Sequence, residues 1–394
     1  SAYKSSAPVT NVTFGSPATT RDVILHTLVD HDGNPITDPW IEKTNNKANN
    51  GINGAQVVWA DGANLVTLPS APIYRDASGN AFVKFEVTKA NLKSGNAVIA
   101  VKKGNTILWS WHLWFTPKSS LKKIPFTSEG STYNFMTDNL GWKYTKWTGG
   151  LKREVVVKIE QQAETGEKKT ATITLKQAAG NNVREGYGNL YQWGRKDPLP
   201  GINTTGFAFD NSYVEIPADK GDEPANVIKM KTRSIGHSIQ NPGIMLPKVG
   251  GGKLSWQYQQ LINLWSANNN KYDGSIRNNV KTIYDPSPVG FKVPDAHAFM
   301  GFSLTGAVWS NGYTFKVDND KEIYFQAGGY RDGNDGKIKG VGGYAMYWAS
   351  AALIHGTGGP GFAFRALMTS VKFSMPITDP EGFGTRSYGL GVRP

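Results

Sequence analysis

The segment TILWSWHLWF (106–115) constrains the fold of this chain more than any other. In an extended strand, successive side chains point to opposite faces of the sheet. One face of this strand would be wholly apolar, formed by Ile107, Trp109, Trp111, Leu113 and Phe115. Such a face must be buried, so the pattern predicts an inner strand of a β-sandwich. His112 falls on the opposite, mixed face, where we expect a hydrogen-bonded structural histidine rather than a ligand-binding one.

Short runs of β-branched and aromatic residues fill the rest of the first half of the chain. AQVVWA, AFVKFEV and NAVIAV alternate with turn-forming stretches such as ASGN and KKGN. We predict an all-β sandwich over 1–117 and a second β unit over 118–180. In the second unit, REVVVKIEQQ and TATITLKQ flank a turn and predict a hairpin over 153–177. The small and polar stretch 178–189 indicates a linker or domain edge.

The remaining residues, 181–394, have a different character. The segment LSWQYQQLINLWSA (254–267) carries apolar residues at helical spacing and predicts a helix. Asp295, directly after Pro294, is a candidate N-cap for a short helix through AHAFMGF. Elsewhere this part is rich in glycine and aromatic residues, with short strands such as EIYFQAGGY. The expected fold is an α+β domain with few helices and much loop.

Composition limits the classes of function. The absence of cysteine excludes disulfides, thiolate metal sites and thiol nucleophiles. No apolar run approaches the ~18 residues that span a bilayer. The N-terminal SAYKSSAPVTN has no basic-then-apolar leader, so we expect either a cytosolic protein or one whose leader was removed. The net charge of +12 is dispersed in lysine and arginine pairs, which indicates solvated surface rather than a nucleic-acid partner.

Standard catalytic and metal-binding signatures are missing from the sequence. GGGKL (250–254) places leucine where a P-loop needs serine or threonine, and there is no HExxH pair or GxSxG elbow. The loop YRDGNDGKIKG offers Asp332, Asn334 and Asp335 as oxygen ligands for calcium. It lacks the spacing of an EF-hand, so a polar turn is the favoured interpretation. The C-terminal aromatics could stack on sugars or anchor a protein partner, although core packing is favoured for most of them.

Several segments occur in a characteristic order: GNLYQWGRKDPLPG (188–201), KTIYDPSPVGFKVPD (281–295), GGYRDGNDG with GGYAMYWASA (328–351), and RSYGLGVRP (386–394). Together they resemble the domain first described as a major paralogous family of Fibrobacter succinogenes. That domain is widespread in surface proteins of gut Bacteroidetes and is similar to C-type-lectin-like folds. GNAVIAVKKGNTILWSWHLWFT (95–116) resembles the fimbrillin-type β-sandwich that precedes it. TATITLKQAA (170–179) resembles the end of a carbohydrate-associated Ig-like module.

The resemblance implies three modules. These are a fimbrillin-like β-sandwich over 1–117, an Ig-like β module over 118–180, and an α+β C-type-lectin-like ligand-binding domain over 181–394. Family members usually carry cysteines where this chain has Ser287 and Pro394. The bridge that the resemblance implies is therefore missing, and the domain must be held by its core alone. The proline-rich stretch 281–295 is implied to be scaffold that leads into a helix.

The function implied by the resemblance is non-enzymatic: a secreted or lipid-anchored adhesin or fimbria-associated protein. Its β-modules would serve as stalk or pilus parts, with pilus subunits as partners, and its C-terminal domain would bind a glycan or protein on a host or neighbouring microbe. We expect an extracellular or outer-membrane location, membrane contact only through a trimmed lipid anchor, no nucleic acid, and no cofactor unless calcium binds. The candidate ligand-binding residues are Tyr330, Asp332, Asn334, Asp335, His355, Arg365, Arg386 and Tyr388.

Two alternatives stay open. The C-terminal domain could be a variable display platform diversified through a retroelement, with LIHGTGGPGFAFRALMTSVKF (353–373) through RSYGLGVRP as its variable part. The lectin-like fold is also related to that of sulfatase-modifying and related oxidative enzymes. Those enzymes need a cysteine pair or a metal set at their site, and this chain has no cysteine.

Overall fold

The structure is a computed structural model. It describes residues 28–36, 40–148, 153–162, 166, 168–177, 183–201, 234–246, 255–257, 259, 261–270, 275–318, 321–333, 336–352, 361–367, 370–376 and 386–394. The fold is largely β. The chain divides into two compact units: a main unit, Ser1–Lys143 with Tyr187–Pro394, and a hairpin unit, Tyr144–Gly186. These units do not follow the predicted boundaries at 117/118 and 180/181.

The N-terminal part of the main unit is an antiparallel sheet with a small hairpin beside it. The strands are β1 (Gly54–Ala60), β2 (Ile73–Arg75), β3 (Ala81–Val83), β4 (Gly95–Lys103) and β5 (Thr106–Phe115). Short 3-10 turns occupy Ile41–Lys43, Asn45–Lys47, Lys89–Asn91 and Lys118–Leu121. The sheet order is β1-β4-β5, and β2 pairs with β3. The tight turn that joins β4 to β5 contains Gly104, whose φ of 58° suits a glycine.

The predicted alternation along β5 is confirmed from Trp111 onward. Trp111, Leu113 and Phe115 pack in one apolar cluster with Leu65, Val66, Ala97 and Ile99. On the opposite face, the Ser110 hydroxyl donates to Asp197 (2.7 Å) and the Trp114 indole N–H donates to the Trp142 carbonyl (2.9 Å). The strand therefore buries both of its faces. A register shift opposite Val101 and Lys102 interrupts the alternation before Trp109, which the sequence did not predict.

The next hairpin belongs to the main unit. Strands β6 (Lys123–Ser128) and β7 (Ser131–Met136) pair with each other. Phe126 and Phe135 pack with Phe299 and Phe302 in a core cluster of the C-terminal half. The backbone N–H of Met136 donates to the carbonyl of Pro394 at 2.7 Å. Residues 118–143 thus fold with the C-terminal half, whereas the sequence assigned them to a module ending at 180.

The hairpin unit contains the predicted β-hairpin. Strands β9 (Arg153–Gln162) and β10 (Lys168–Gln177) pair in register along their full length, which confirms the hairpin 153–177. Strands β8 (Lys143–Thr148) and β11 (Val183–Tyr187) form a second pair. The stretch 178–189, expected to be a linker or domain edge, thus contains a strand. The boundary of the compact unit still falls inside it, after Gly186.

The C-terminal part of the main unit combines small sheets with long connections. Its strands are β12 (Tyr191–Gln192), β13 (Val308–Trp309), β14 (Gly312–Val317), β15 (Lys321–Gln326), β16 (Tyr330–Arg331), β17 (Ile338–Lys339), β18 (Tyr344–Ala352), β19 (Gly361–Leu367), β20 (Ser370–Pro376) and β21 (Gly389–Leu390). They form the sheets β12-β21-β16-β17, β13-β14-β15 and β18-β19-β20. Helix α1 spans Ile235–Gln240, and a 3-10 turn spans Ala296–Phe299.

The helix predicted over 254–267 is wrong for the residues that the structure describes there. Residues 255–257, 259 and 261–267 contain no helical turn. The side-chain amide of Gln257 donates to the carbonyl of Leu261 and accepts from its N–H, so a side chain replaces the main-chain pairing of a helix. Trp256 and Trp265 are fully buried, and their indole N–H groups donate to the carbonyls of Trp193 and Arg195. The apolar spacing reflects core packing without a helix.

The proline-rich stretch 281–295 behaves as the predicted scaffold. The carboxylate of Asp285 accepts from the backbone N–H groups of Ser287 and Val293, each at 2.8 Å, and pairs with Lys281 at 2.8 Å. The prolines keep the chain extended between these anchors. At its end, Asp295 accepts from the N–H of Ala298 at 3.1 Å and caps a single 3-10 turn, which confirms the predicted cap.

Buried arginines hold the loops of the C-terminal half. Arg195, Arg331, Arg386 and Arg393 are each at most 2% exposed. Arg331 donates to the carbonyls of Pro200 and Gly336. Because each guanidinium offers five donors in a fixed fork, one side chain can satisfy carbonyls from loops that lie far apart in sequence. These hydrogen bonds hold the loops in place where there is little regular secondary structure.

Candidate functional site

Two of the predicted contact residues lie together in the core of the C-terminal half. Tyr330 is 8% exposed and Tyr388 is 6% exposed. Their rings are 5.6 Å apart, and Tyr344 meets Tyr330 edge-to-face at 5.9 Å. Both rings belong to the apolar cluster that also contains Trp193. They therefore fill the interior and present no open face for a ligand.

Arg386 is also an interior residue. Its guanidinium donates to the Leu261 carbonyl at 2.6 Å and lies 5.3 Å from the centre of the Trp193 ring. Burial lowers the pKa of Arg386 to about 9. Arg365 lies in β19, where its Cα pairs with Met346 and Lys372. His355, Asn334 and Asp335 lie outside the described residues.

The loop proposed for calcium contains one acid that the structure describes. The carboxylate of Asp332 forms an ion pair with the ammonium group of Lys339 at 2.6 Å. This pairing supports the polar-turn interpretation of the loop. Among the described residues, no group of three or more histidine, aspartate or glutamate side chains is arranged to hold a metal ion. The calcium alternative stays a prediction, because two of its three proposed ligands are not described.

A cavity lies in the N-terminal part of the main unit, which the sequence did not single out. Its volume is about 430 Å³, within the range of roughly 300–1,000 Å³ that small-molecule pockets occupy. Three elements enclose it: the segment 40–52, the β2–β3 hairpin, and the face of β4 and β5. We call it the 40s pocket. It is lined by Trp40, Ile41, Glu42, Lys43, Lys47, Asn50, Ile52, Ile73, Arg75, Ser78, Gly79, Asn80, Ala81, Phe82, Val83, Val101 and Trp111.

Three aromatic rings line the 40s pocket. Trp40 meets Phe82 edge-to-face, with ring centroids 5.1 Å apart and an interplanar angle of 82°. Trp111 is half-buried and reaches the pocket from β5. All three rings contribute to the lining, so a ligand can contact flat apolar surface. The C–H groups of a sugar pack on the faces of such rings, because the ring face carries the negative part of the quadrupole.

An ion pair fixes the segment 40–52 to β2. Arg75 donates from two nitrogens to the two oxygens of Glu42, at 2.7 and 2.8 Å. The same carboxylate accepts from the backbone N–H groups of Gly51 and Ile52 at 2.9 and 2.8 Å. The hydrogen bonds from Arg75 and these N–H groups lower the pKa of Glu42 to about 2, although burial opposes the shift. The carboxylate of Glu42 is thus ionised at neutral pH, and both of its oxygens accept hydrogen bonds from Arg75 or from backbone N–H groups of the pocket.

Strained backbone lies beside the pocket. Asn45, Asn46 and Lys47 have φ values of 50°, 52° and 65°, in the left-handed region. A residue other than glycine in this region costs roughly 1–3 kcal/mol, and such strain concentrates at functional sites. Lys43 and Lys47 are exposed, and both line the cavity. Of these two lysines, Lys47 is the one held by strained backbone.

Local sequence carried little signal for the 40s pocket. IEKTNNKANN (41–50) looks like an ordinary polar loop, and the salt bridge from Glu42 to Arg75 spans 33 residues. Trp40 directly after Pro39 was the available local clue, since a tryptophan in a polar segment needs an apolar neighbour. The spacing of residues in the sequence does not predict that Phe82 and Trp111 lie near Trp40.

A second polar cluster lies buried between β4–β5 and the C-terminal half. His112 Nε2 lies 2.9 Å from Asn96 Oδ1, and the side-chain amide of Asn96 donates to Asp61 at 2.8 Å. The hydroxyl of Tyr191 is 3.4 Å from His112 Nδ1. Burial lowers the pKa of His112 to about 4, although the Asp197 carboxylate opposes the shift. His112 is neutral at pH 7 and hydrogen-bonded, which confirms the predicted structural role.

The comparisons with known proteins add no family assignment. No family model, curated protein or solved structure matches the chain. Within the described ranges, no helix is long and apolar enough to cross a bilayer.

Proposed function

We propose that this protein is a non-enzymatic ligand-binding protein of the bacterial cell surface, an adhesin or fimbria-associated protein. The observation that carries the proposal is the 40s pocket, an open cavity of about 430 Å³ lined by three aromatic rings together with polar and charged side chains. A pocket with an apolar wall and a few fixed polar groups is typical of small-ligand recognition. The ligand would be a glycan on a host or neighbouring microbe.

The chemistry of the pocket favours binding over catalysis. A general acid or base needs a carboxyl group free to exchange protons with a substrate. Among the described lining residues, Glu42 is the one acid, and Arg75 together with two backbone N–H groups holds it as a fixed anion. A carboxylate with a pKa of about 2 is a poor proton acceptor at neutral pH. Its structural role is to shape the cavity.

In this proposal the C-terminal half is a rigid lectin-like domain whose surface loops contact a partner. The support is the resemblance of its ordered segments, together with an interior in which buried arginines fix long loops. A protein ligand or a pilus subunit would be recognised by the loop surface of this half rather than by Tyr330, Arg386 or Tyr388, which are interior. In this proposal the protein is secreted and lies at the cell surface, with or without a lipid anchor.

Binding of saccharides to the purified full chain tests the proposed function. A glycan array gives the first set of ligands, and isothermal titration calorimetry then measures Kd for the wild type, Trp40→Ala and Trp111→Ala. We expect each substitution to weaken binding by about tenfold or more, since each removes an aromatic face from the wall. Phe85→Ala is the matched control, because Phe85 is 40% exposed and does not line the pocket. Absence of any saccharide binding, or equal losses in control and test variants, would refute the proposal.

A further inference from the structure

We propose that the side chains of Lys143 and Asn96 react with each other and form an amide cross-link inside the main unit. The reaction needs an amine, a carboxamide and groups that move protons, held together away from water. Asp61, Asn96, His112 and Lys143 provide this arrangement, and we call them the Lys143 cluster. The inference does not depend on the 40s pocket or on saccharide binding.

The amine and the carboxamide meet at one buried carboxylate. Lys143 Nζ lies 3.6 Å from Asp61 Oδ1 and also donates to the main-chain carbonyl of Asp61. Asn96 Nδ2 donates to the other carboxylate oxygen, Asp61 Oδ2, at 2.8 Å. All three residues are buried. The Asp61 carboxylate therefore holds a nucleophile beside one oxygen and a leaving group at the other, which replaces a chance encounter by a fixed arrangement.

The environment of Asp61 suits proton transfer. Burial raises the pKa of Asp61, although the charge of Lys143 opposes the shift. A carboxyl group with a raised pKa can accept a proton from one partner and return it to another at neutral pH. When Asp61 takes a proton from the ammonium group of Lys143, a buried ion pair becomes a neutral amine beside a carboxylic acid. The transfer leaves no net charge to be solvated and frees the nitrogen lone pair for attack.

His112 lies where negative charge develops during the reaction. Its Nε2 is 2.9 Å from the side-chain oxygen of Asn96. A proton on Nε2 donates to this oxygen, which draws electron density away from Cγ and stabilises the oxyanion of a tetrahedral intermediate. The carbonyl carbon of Asn96 is therefore activated from the oxygen side by His112, while its nitrogen is bound by Asp61.

The atoms and electrons of the step balance without a co-reactant. The lone pair of Lys143 Nζ forms a bond to Cγ of Asn96, and the C=O electrons move onto the oxygen facing His112. Asp61 donates its proton to Nδ2 and takes one from Nζ. The C–N bond to Nδ2 then breaks as the carbonyl re-forms, and ammonia leaves and takes up a proton from Asp61. The products are an amide between Lys143 and Asn96, one ammonium ion and the Asp61 carboxylate.

The cross-link would act as a covalent tie within the main unit. The chain has no cysteine and therefore no disulfide. Asn96 lies in β4, and Lys143 ends the first segment of the main unit. An amide between them closes a loop of the chain in the folded and unfolded states alike, as a disulfide does, but reducing agents do not cleave it.

Intact-mass spectrometry of the full chain tests the inference directly. The purified protein is incubated at neutral pH, denatured and weighed, and its digest is searched for a peptide pair joined between Asn96 and Lys143. We expect a mass about 17 Da below that of the sequence, because one ammonia is lost, and we expect the joined peptide. A folded protein with the full sequence mass overturns the inference. A loss of about 18 Da with the link at Asp61 also overturns it, because water rather than ammonia has then left.

Variants separate the cross-link from loss of ammonia elsewhere in the chain. Lys143→Arg keeps the positive charge but removes the amine, so it should have its full sequence mass. Asp61→Asn should slow the mass change about a hundredfold, with circular dichroism as the check that the variant is folded. Lys281→Arg is the matched control, because Lys281 is another lysine paired with a buried aspartate, Asp285, and should keep the loss of about 17 Da. A loss that persists in Lys143→Arg overturns the inference.

Discussion

Acidification is expected to destabilise the main unit through His112. The side-chain amide of Asn96 is committed as a donor to Asp61 (2.8 Å) and to the Gly141 carbonyl (2.9 Å), so its oxygen faces His112 Nε2 at 2.9 Å and favours the tautomer protonated there over a bond from Asn189, whose nitrogen is 3.3 Å away. Nδ1 then carries no proton and lies 3.4 Å from the hydroxyl of Tyr191, which donates to it. A second proton on the ring displaces that donor and places a charge in a buried environment.

The magnitude follows from the pKa of His112. Burial lowers this pKa from 6.5 to about 4 in the folded state. Between these values the unfolded chain binds more protons than the folded chain, so the free energy of unfolding falls as the pH drops through this window. Above pH 6.5 the contribution is fully present. At about pH 5 the two pKa values give a loss of about 2 kcal/mol relative to about pH 7.5.

The assay is urea unfolding of the wild type and of His112→Gln at the two pH values, followed by tryptophan fluorescence. Asp61 contributes with the opposite sign, because burial raises its pKa and its protonation favours the folded state at low pH. The difference between wild type and variant removes this and every other shared titration. We expect the wild type to lose about 2 kcal/mol more than His112→Gln between the two pH values.

A control separates His112 from histidines in general. His31→Gln leaves the network of His112 intact and should keep most of the wild-type loss. A difference between wild type and His112→Gln below about 0.5 kcal/mol would show that the imidazole is not held neutral by burial. The account of the buried network given above would then be refuted.

Three further perturbations test the scaffold. Asp285→Ala leaves two buried backbone N–H groups without their acceptor and removes the ion-pair partner of Lys281, so we expect a loss of about 3 kcal/mol in thermal or urea unfolding. Gly312→Ala places a Cβ 2.2 Å from a backbone carbonyl at a φ of 143° and should be strongly destabilising, whereas Gly290→Ala, with open space around it, should cost only about 1 kcal/mol in the same assay. Glu42→Gln should weaken saccharide binding at the 40s pocket by about tenfold, because it releases Arg75 and the strained segment beside it; unchanged calorimetric affinity would contradict this role.

Short sequence patterns predicted those elements of the fold whose form is visible in a few neighbouring residues. The hairpin 153–177, the alternation from Trp111 to Phe115 and the cap at Asp295 each show in the order of residue types along a short stretch of the chain. The pattern around Trp256 failed for a related reason. Its spacing reports that one side is buried, and burial against neighbouring loops satisfies that requirement as well as a helix does.

The site could not be read in the same way, because it is assembled from distant segments. Residue type makes Tyr330, Arg386 and Tyr388 candidates for ligand contact, but Tyr330 and Tyr388 fill the core and Arg386 donates to a main-chain carbonyl. Residue type alone does not distinguish these roles. Trp40 meets Phe82 only after the β2–β3 hairpin folds against the segment 40–52.

Main-chain and guanidinium contacts explain how the C-terminal half is fixed without a disulfide. A bridge near the chain end would tie the last residues to an earlier segment, and here hydrogen bonds do so. The N–H groups of Met136 and Leu140 donate to the carbonyls of Pro394 and Val392, and Arg393 donates to the carbonyl of Thr137 at 2.8 Å. A guanidinium is suited to this task because its donors diverge in a plane, whereas a lysine would satisfy fewer carbonyls from one position. Since these contacts form only in the folded state, they order the loops directly, while a disulfide acts largely by restricting the unfolded chain.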